Sequence, residues 1–342
     1  MGDGLGLVAD IGGTNARFAL VDRAGAAQDL RDVHILRCAD YPTLEDAVET
    51  YLDQAGAAAR PRTAVIAVAG PVTGDVINLT NHVWRFSVST ARRHLGFDAL
   101  EVANDFNAIA QSVPHLPADG LVGVGEVASD APGRTAPGQR TTLAVLGPGT
   151  GLGAAGLLVR PDGPIVLESE AGHANFAPCD AIEVQISDVL LKRFPRVSNE
   201  RLISGPGLRN LYEALVEIHG ATADILAPAD ITRRALDDAD SLCVQTLERF
   251  CAILGSVAGD IALVMGAWGG VYIGGGIPPR IIDFLKRSDF RRRFEAKGRF
   301  EKLMTTIATN VIVHPHPGLI GAAAALLLRH DHAPPSLDTG AA

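Results

Sequence analysis

Residues 5–21 read Leu5-Gly6-Leu7-Val8-Ala9-Asp10-Ile11-Gly12-Gly13-Thr14-Asn15-Ala16-Arg17-Phe18-Ala19-Leu20-Val21. An apolar run ends at Ile11 and a second follows Asn15, so the stretch reads as two strands joined by the Gly12-Gly13 turn. Glycine there permits positive φ and lets backbone N–H groups approach an anion closely. Asp10, at the strand end, could hold a hydrated Mg²⁺, and Thr14 could donate to a phosphate. A plain hairpin turn has the same spacing.

The pattern returns further along the chain. Residues 142–146 read as a strand, Gly147-Pro148-Gly149-Thr150-Gly151-Leu152-Gly153 as a glycine turn, and 154–159 as a strand. Before it, residues 128–140 carry Pro132, Gly133, Pro137 and Gly138 and form the strongest internal break. Two segments that each open on a glycine-turned hairpin suggest a duplicated fold. Around them strands alternate with helices. Residues 43–52 have helical spacing, with Leu44, Ala47, Val48 and Tyr51 on one face. Residues 63–69 and 100–103 read as strands, and 90–95 and 106–113 as helices. Later helices are expected over 181–194, 207–219, 238–265 and 319–329, with a strand over 270–273 running into Gly274-Gly275-Gly276. This alternation argues for α/β architecture.

Composition narrows the function. Over 342 residues, 47% are apolar and 20% charged, which excludes global disorder. Lys and Arg number 30 against 39 Asp and Glu, a net charge of −9, so nucleic acid is not expected as a partner. The four cysteines (Cys38, Cys179, Cys243 and Cys251) form no CxxC pair and are expected to be reduced, mostly buried thiols. The uncharged stretches 141–159 and 261–279 are broken by glycine clusters, so neither is expected to span a membrane. The N-terminus has no basic leader, and a cytoplasmic protein is expected.

The chain has only four lysines (Lys192, Lys286, Lys297 and Lys302), and no G-x-x-x-x-G-K string occurs. P-loop chemistry is therefore excluded. Gly149-Thr150-Gly151-Leu152-Gly153-Ala154 fits G-x-G-x-x-A, but the turn at Arg160-Pro161-Asp162-Gly163 leaves no room for the crossover helix that a dinucleotide fingerprint must open. Asn104-Asp105 stands between a strand and a helix. A carboxylate there could accept a proton from a substrate hydroxyl, or Asp105 could simply cap the helix. Glu170-Ala171-Gly172-His173 is an E-x-x-H string, yet Gly172 and Pro178 argue against a helical metal site. Recognition of a hydroxyl-rich ligand suits it better. His314 and His316, around Pro315, read as loop residues.

Taken together these strings resemble the bacterial ATP-dependent glucokinases of the hexokinase/actin/Hsp70 ATPase superfamily. The matching strings are Ala9 to Arg17, Ala69-Gly70-Pro71-Val72-Thr73-Gly74-Asp75, Thr80-Asn81-His82-Val83-Trp84 with Phe86-Ser87, and Asn104-Asp105-Phe106. They continue with Gly149 to Gly153, Glu170 to Pro178, Glu200-Arg201 with Ser204 to Leu208, and Gly274-Gly275-Gly276-Ile277. A Cys-rich zinc motif is missing, which points to the non-zinc branch. The resemblance implies an α/β fold of two ribonuclease-H-like (actin-like ATPase) lobes around a central cleft. Residues 1–115 would form a small lobe completed by the helix 316–330, residues 116–315 a large lobe, and 331–342 a disordered tail. It implies a glucokinase using ATP and Mg²⁺ as a homodimer. Asp105 would be the catalytic base at the sugar's 6-hydroxyl. Asn104, Glu170, His173 and Glu200 would bind the other hydroxyls. Ala9, Asp10, Ile11, Gly12, Gly13 and Thr14 would form one phosphate turn, with Asp10 meeting Mg²⁺ through water. Gly149, Thr150 and Gly151 would form the other, and Gly275 would lie near the adenosine. Ala9 and Pro148 depart from the family pattern, but neither removes a side chain assigned to chemistry. A kinase for another hexose, a sugar-binding regulator without catalysis and a nicotinamide dehydrogenase are the competing readings.

Overall fold

The computed structural model describes residues 4–56, 60–79, 84–127, 140–222 and 224–331. Positions 80–83 of the quoted strings, most of the break at 128–140 and the expected tail beyond 331 lie outside them. The described residues fall into two compact units, 4–117 with 316–331, and 118–315.

In the first unit β1 (Leu5–Ile11) and β2 (Asn15–Asp22) form the expected hairpin, with Ile11 opposite Ala16. β3 (Arg31–Arg37) extends it at the edge. Helix α1 (Leu44–Ala55) starts at a capping box in which Thr43 and Asp46 satisfy each other's backbone N–H groups. Its Leu44, Ala47, Val48 and Tyr51 are buried. β4 (Thr63–Val68) pairs parallel with β1. β5 (Val76–Asn78) and β6 (Arg85–Ser87) form a separate ribbon leading into α2 (Val88–His94). β7 (Ala99–Asn104) pairs parallel with β4 and runs directly into α3 (Asp105–Ser112). The sheet order is β3-β2-β1-β4-β7.

The second unit contains β8 (Leu121–Gly123), β9 (Thr141–Pro148), β10 (Leu152–Val159) and β11 (Ile165–Ser169). Its helices follow as α4 (Ala181–Leu191), α5 (Gly205–His219), α6 (Pro228–Leu236) and the long α7 (Ser241–Met265). β12 (Val271–Ile273), α8 (Ile282–Arg287), α9 (Phe290–Glu295), α10 (Glu301–Met304) and β13 (Thr309–Ile312) complete it. The order is β11-β10-β9-β12-β13-β8. Its first five strands repeat the first sheet: an antiparallel meander, then two strands parallel to the one that carries the glycine turn. The duplication suggested by the two hairpins is therefore a duplication of topology, and each unit is a ribonuclease-H-like α/β sheet.

α11 (Pro317–Asp331) packs in the first unit against α3, β1 and β4. Gly321 lets it approach so closely that a Cβ there would overlap the Ala108 carbonyl. Among the described helices none is long and apolar enough to cross a membrane. The first residues of the uncharged stretch 261–279 close α7, which Gly266 terminates in the left-handed conformation (φ 61°). α4 also ends short of the expected residue 194, at Leu191. Cys38, Cys243 and Cys251 are buried as expected, whereas Cys179 is exposed.

Candidate active site

Ligands of open α/β sheets gather at the carboxyl ends of the strands. In the first unit the ends of β1, β4 and β7 lie side by side. Ile11 is level with Val68, and Val68 with Asn104. Two strand spacings then place the glycine turn about 10 Å from Asn104. The Ile11 carbonyl accepts from Ala69 N (3.0 Å) and Gly12 N donates to Asn15 O (3.0 Å), which fixes the turn. Thr14 is exposed there.

Asn104, not Asp105, caps α3. Its Oδ1 accepts from Phe106 N (2.9 Å) and Asn107 N (3.3 Å), and its Nδ2 donates to Gly70 O (3.1 Å). The capping reading offered for Asp105 is thereby corrected. Asp105 is the first helical residue, and its Oδ1 takes the neighbouring Phe106 N–H at 2.9 Å. Asn104 ties the start of α3 to the loop after β4 and so fixes where Asp105 sits.

Asp10 is the carboxylate of the first turn. Its side chain is 20% exposed, and Arg17 Nη1 lies 3.4 Å from Oδ2. A Cβ on Gly318, at the start of α11, would lie 2.7 Å from its Cγ. Burial pushes the Asp10 carboxyl above the ordinary aspartate range, against the opposing pull of Arg17. A raised native pKa favours the protonated fold, so this contribution is lost as pH rises through that pKa. Asp10→Asn is therefore expected to raise the melting temperature near neutral pH, by less at acid pH. Melting curves at pH 5 and pH 8 check it. An unchanged or lower melting temperature at pH 8 would contradict the burial cost.

In the second unit the backbone of Leu152 is the meeting point. Its N–H donates to Glu200 Oε2 at 2.9 Å. Its carbonyl packs against the Cα of Gly172, where any Cβ would collide. Glu170 precedes and His173 ends a single 3₁₀ turn (Ala171–His173) that holds that glycine, and both are exposed. The following residues are stitched to 197–199 by Phe176 N to Val197 O (3.0 Å) and Asn199 N to Ala174 O (3.0 Å). Glu170, His173 and Glu200 are thus gathered beside the second glycine turn. That turn joins the antiparallel strands β9 and β10, so the G-x-G-x-x-A string opens no helix. Gly275 (φ 83°) lies so close to the Pro148 carbonyl that a side chain would clash with it, and Ile277 N donates to that carbonyl at 3.3 Å.

A pocket of about 790 Å³ opens beside this turn, within the size range of small-molecule sites. Gly149 and Thr150 form one end and Gly276 and Ile277 another. Leu208, Pro228 and Leu236 supply apolar walls, and Arg209, Arg233, Arg280 and Asp237 a charged rim. Sequence reasoning missed the contribution of α6. No element is assigned to 228–236 from sequence, and Pro228 in the first turn is the signal that could have marked the helix start. Among the described residues no group of three or more His, Cys, Asp or Glu side chains could hold a metal ion.

The Ala9–Thr14 residues and Asn104–Asp105 therefore share one sheet edge. Gly149–Gly151, Gly275, Glu170, His173 and Glu200 are grouped in the other unit. The family model described as Glucokinase matches residues 7–329. A glucokinase from Caulobacter sp. (strain K31) is 48% identical over 323 residues, covering 94% of this chain and 95% of its own. The crystal structure of a glucokinase from an Antarctic psychrotroph is 39% identical with a TM-score of 0.84, over 94% of this chain and 98% of that one. A ROK-family glucokinase from Streptomyces griseus, solved with glucose and AMPPNP, shares the fold at 18% identity and a TM-score of 0.61, covering 94% and 99%.

Proposed function

The chain belongs to the glucokinase family, and from that premise we propose how its residues perform the reaction. The enzyme phosphorylates glucose, using ATP to give glucose 6-phosphate and ADP. The residue assignment is supported within each unit separately: a fixed glycine turn and a helix-start carboxylate on one sheet edge of the first, and a fixed glycine turn beside a Glu-His-Glu set in the second.

Phosphoryl transfer demands positioning and charge stabilisation more than covalent help from the protein. The amides of Gly13 and Thr14, and of Thr150 and Gly151, meet phosphate oxygens, while the Gly12 and Gly149 N–H groups hold the turns themselves. The apolar walls of the 790 Å³ pocket, which Gly276 also lines, take the adenine. Glu170, His173 and Glu200 bind sugar hydroxyls, to which carboxylates are good acceptors. Asn104 spends Oδ1 and one Nδ2 hydrogen on the backbone, so its remaining N–H is what it offers the sugar. Asp105 takes the proton of the 6-hydroxyl as the γ-phosphoryl group transfers to that oxygen.

Mg²⁺ fits the first turn. This ion keeps several waters and needs only one or two carboxylates beside substrate phosphates, and Asp10 is the desolvated carboxylate at the strand end. When bound, it would neutralise phosphate charge. A cytoplasmic homodimer completes the reading. ADP release with ATP and Mg²⁺ across a panel of hexoses tests the whole. ADP formation is expected with glucose and not without sugar. Turnover confined to mannose, fructose or an N-acetylhexosamine would change the substrate and leave the mechanism standing.

A further inference from the structure

We propose that Glu200 positions the second phosphate turn as well as meeting the sugar, so that one carboxylate serves both substrates. The inference rests on the nucleotide binding assigned above to Gly149–Gly151. Glu200 Oε2 accepts the N–H of Leu152, the residue that ends this turn, at 2.9 Å. A Cβ on Gly151 would lie 2.6 Å from the same oxygen, so the glycine is what admits the carboxylate.

The other end of the turn is held by the same short segment. Gly205 N donates to Gly149 O at 2.8 Å, and inside the turn Gly149 N donates to Gly151 O at 2.8 Å. Ser204 joins the two grips. Its Oγ donates to the Glu200 carbonyl (2.7 Å) and accepts from Gly207 N (3.0 Å) as the cap of α5. Residues 200–205 therefore clamp the turn from both sides.

Electrostatics alone predicts the opposite sign for Glu200. A carboxylate beside a triphosphate repels it, so removing the charge should tighten nucleotide binding. A positioning role predicts weakening, because the turn must then be ordered at the expense of binding. Only one of Glu200's oxygens is used on Leu152 N–H, which leaves Oε1 for a sugar hydroxyl.

The test is AMPPNP binding by calorimetry to the full chain with Mg²⁺ and no sugar. Glu200→Ala is expected to weaken binding about 10-fold, equivalent to about 1.4 kcal/mol. Glu200→Gln, whose amide oxygen can accept the same N–H and which carries no charge, should bind at least as tightly as the wild type. Glu200→Asp keeps the charge but is one methylene short, and should behave like the alanine variant. If the alanine variant does not fold, the contrast between glutamine and aspartate carries the test. Equal or tighter binding by Glu200→Ala, or by Glu200→Asp, overturns the inference. Failure of the wild type to bind AMPPNP would instead overturn the nucleotide site on which it rests.

Discussion

Asp105→Asn should leave the protein folded and able to bind glucose and nucleotide, with kcat reduced about 10²–10⁴-fold. The local structure makes this a clean substitution. Asn104 provides the cap of α3 through Oδ1, so the helix start does not depend on residue 105. The Asp105 Oδ1 accepts from Phe106 N at 2.9 Å, and an asparagine Oδ1 can accept that bond equally. What asparagine cannot do is accept a proton from the 6-hydroxyl as that oxygen attacks. The loss should therefore fall on kcat, while KM for glucose stays near its original value. Steady-state kinetics together with glucose binding by calorimetry separate the two. Turnover within a few-fold of wild type would remove Asp105 as the base. A parallel collapse in glucose affinity would mean that residue 105 acts mainly by holding the sugar.

The glycine turns were legible because two signals coincide there. Gly12-Gly13 and Gly147–Gly153 each follow a mostly apolar run, and period and turn chemistry agree. The parallel strands after them were partly legible. β4 is buried from its second residue on and reads as a strand, but β13 has only four residues. Edge strands were illegible for a physical reason. β3 and β11 expose most of their length, so no apolar alternation marks them.

The site shows the same division. Residues that act through backbone geometry announce themselves as glycines. Asn104-Asp105 was visible as a pair, but which residue caps the helix depends on a rotamer that sequence does not specify. The Glu200–Leu152 bond spans 48 residues and has no local signature. Nor has the pocket wall on α6, whose exposed face is charged and whose buried residues are few.

Arg293→Met should cost the second unit about 3–5 kcal/mol, the largest stability effect expected of a single change outside the reaction centre. Arg293 is 7% exposed and Glu183 is 0% exposed. Its Nη2 donates to both Glu183 oxygens, at 2.6 and 2.8 Å, and its Nε donates to Ser256 Oγ at 2.9 Å. Methionine fills much of the space but strands the Glu183 carboxylate, whose remaining partners are Cys179 N (2.7 Å) and the more distant Arg249 (3.9 Å). Removing both charges should cost far less than removing one, because no buried charge is then left unpaired. The double variant Glu183→Leu/Arg293→Met is accordingly expected to recover most of the loss, and thermal unfolding of the four-member cycle measures that coupling. A double variant as unstable as the single would show that packing around Arg293, not charge pairing, is at stake. The network also reaches the proposed sugar site. Asp180 caps α4 and meets Arg249 and, at 3.3 Å, Arg293. Burial alone would raise the Asp180 carboxyl, but the Glu183 N–H and the two guanidinium groups outweigh it and hold it below the ordinary range. That contribution is full above the ordinary aspartate pKa and is lost as pH falls through the lowered one. Arg293→Met removes part of it, so the gap between variant and wild type should narrow in strong acid. Residues 174–180 run from His173 into this network. A loosened anchor there should raise KM for glucose before it lowers kcat, and a variant that lost stability with KM unchanged would confine the network to a purely structural role.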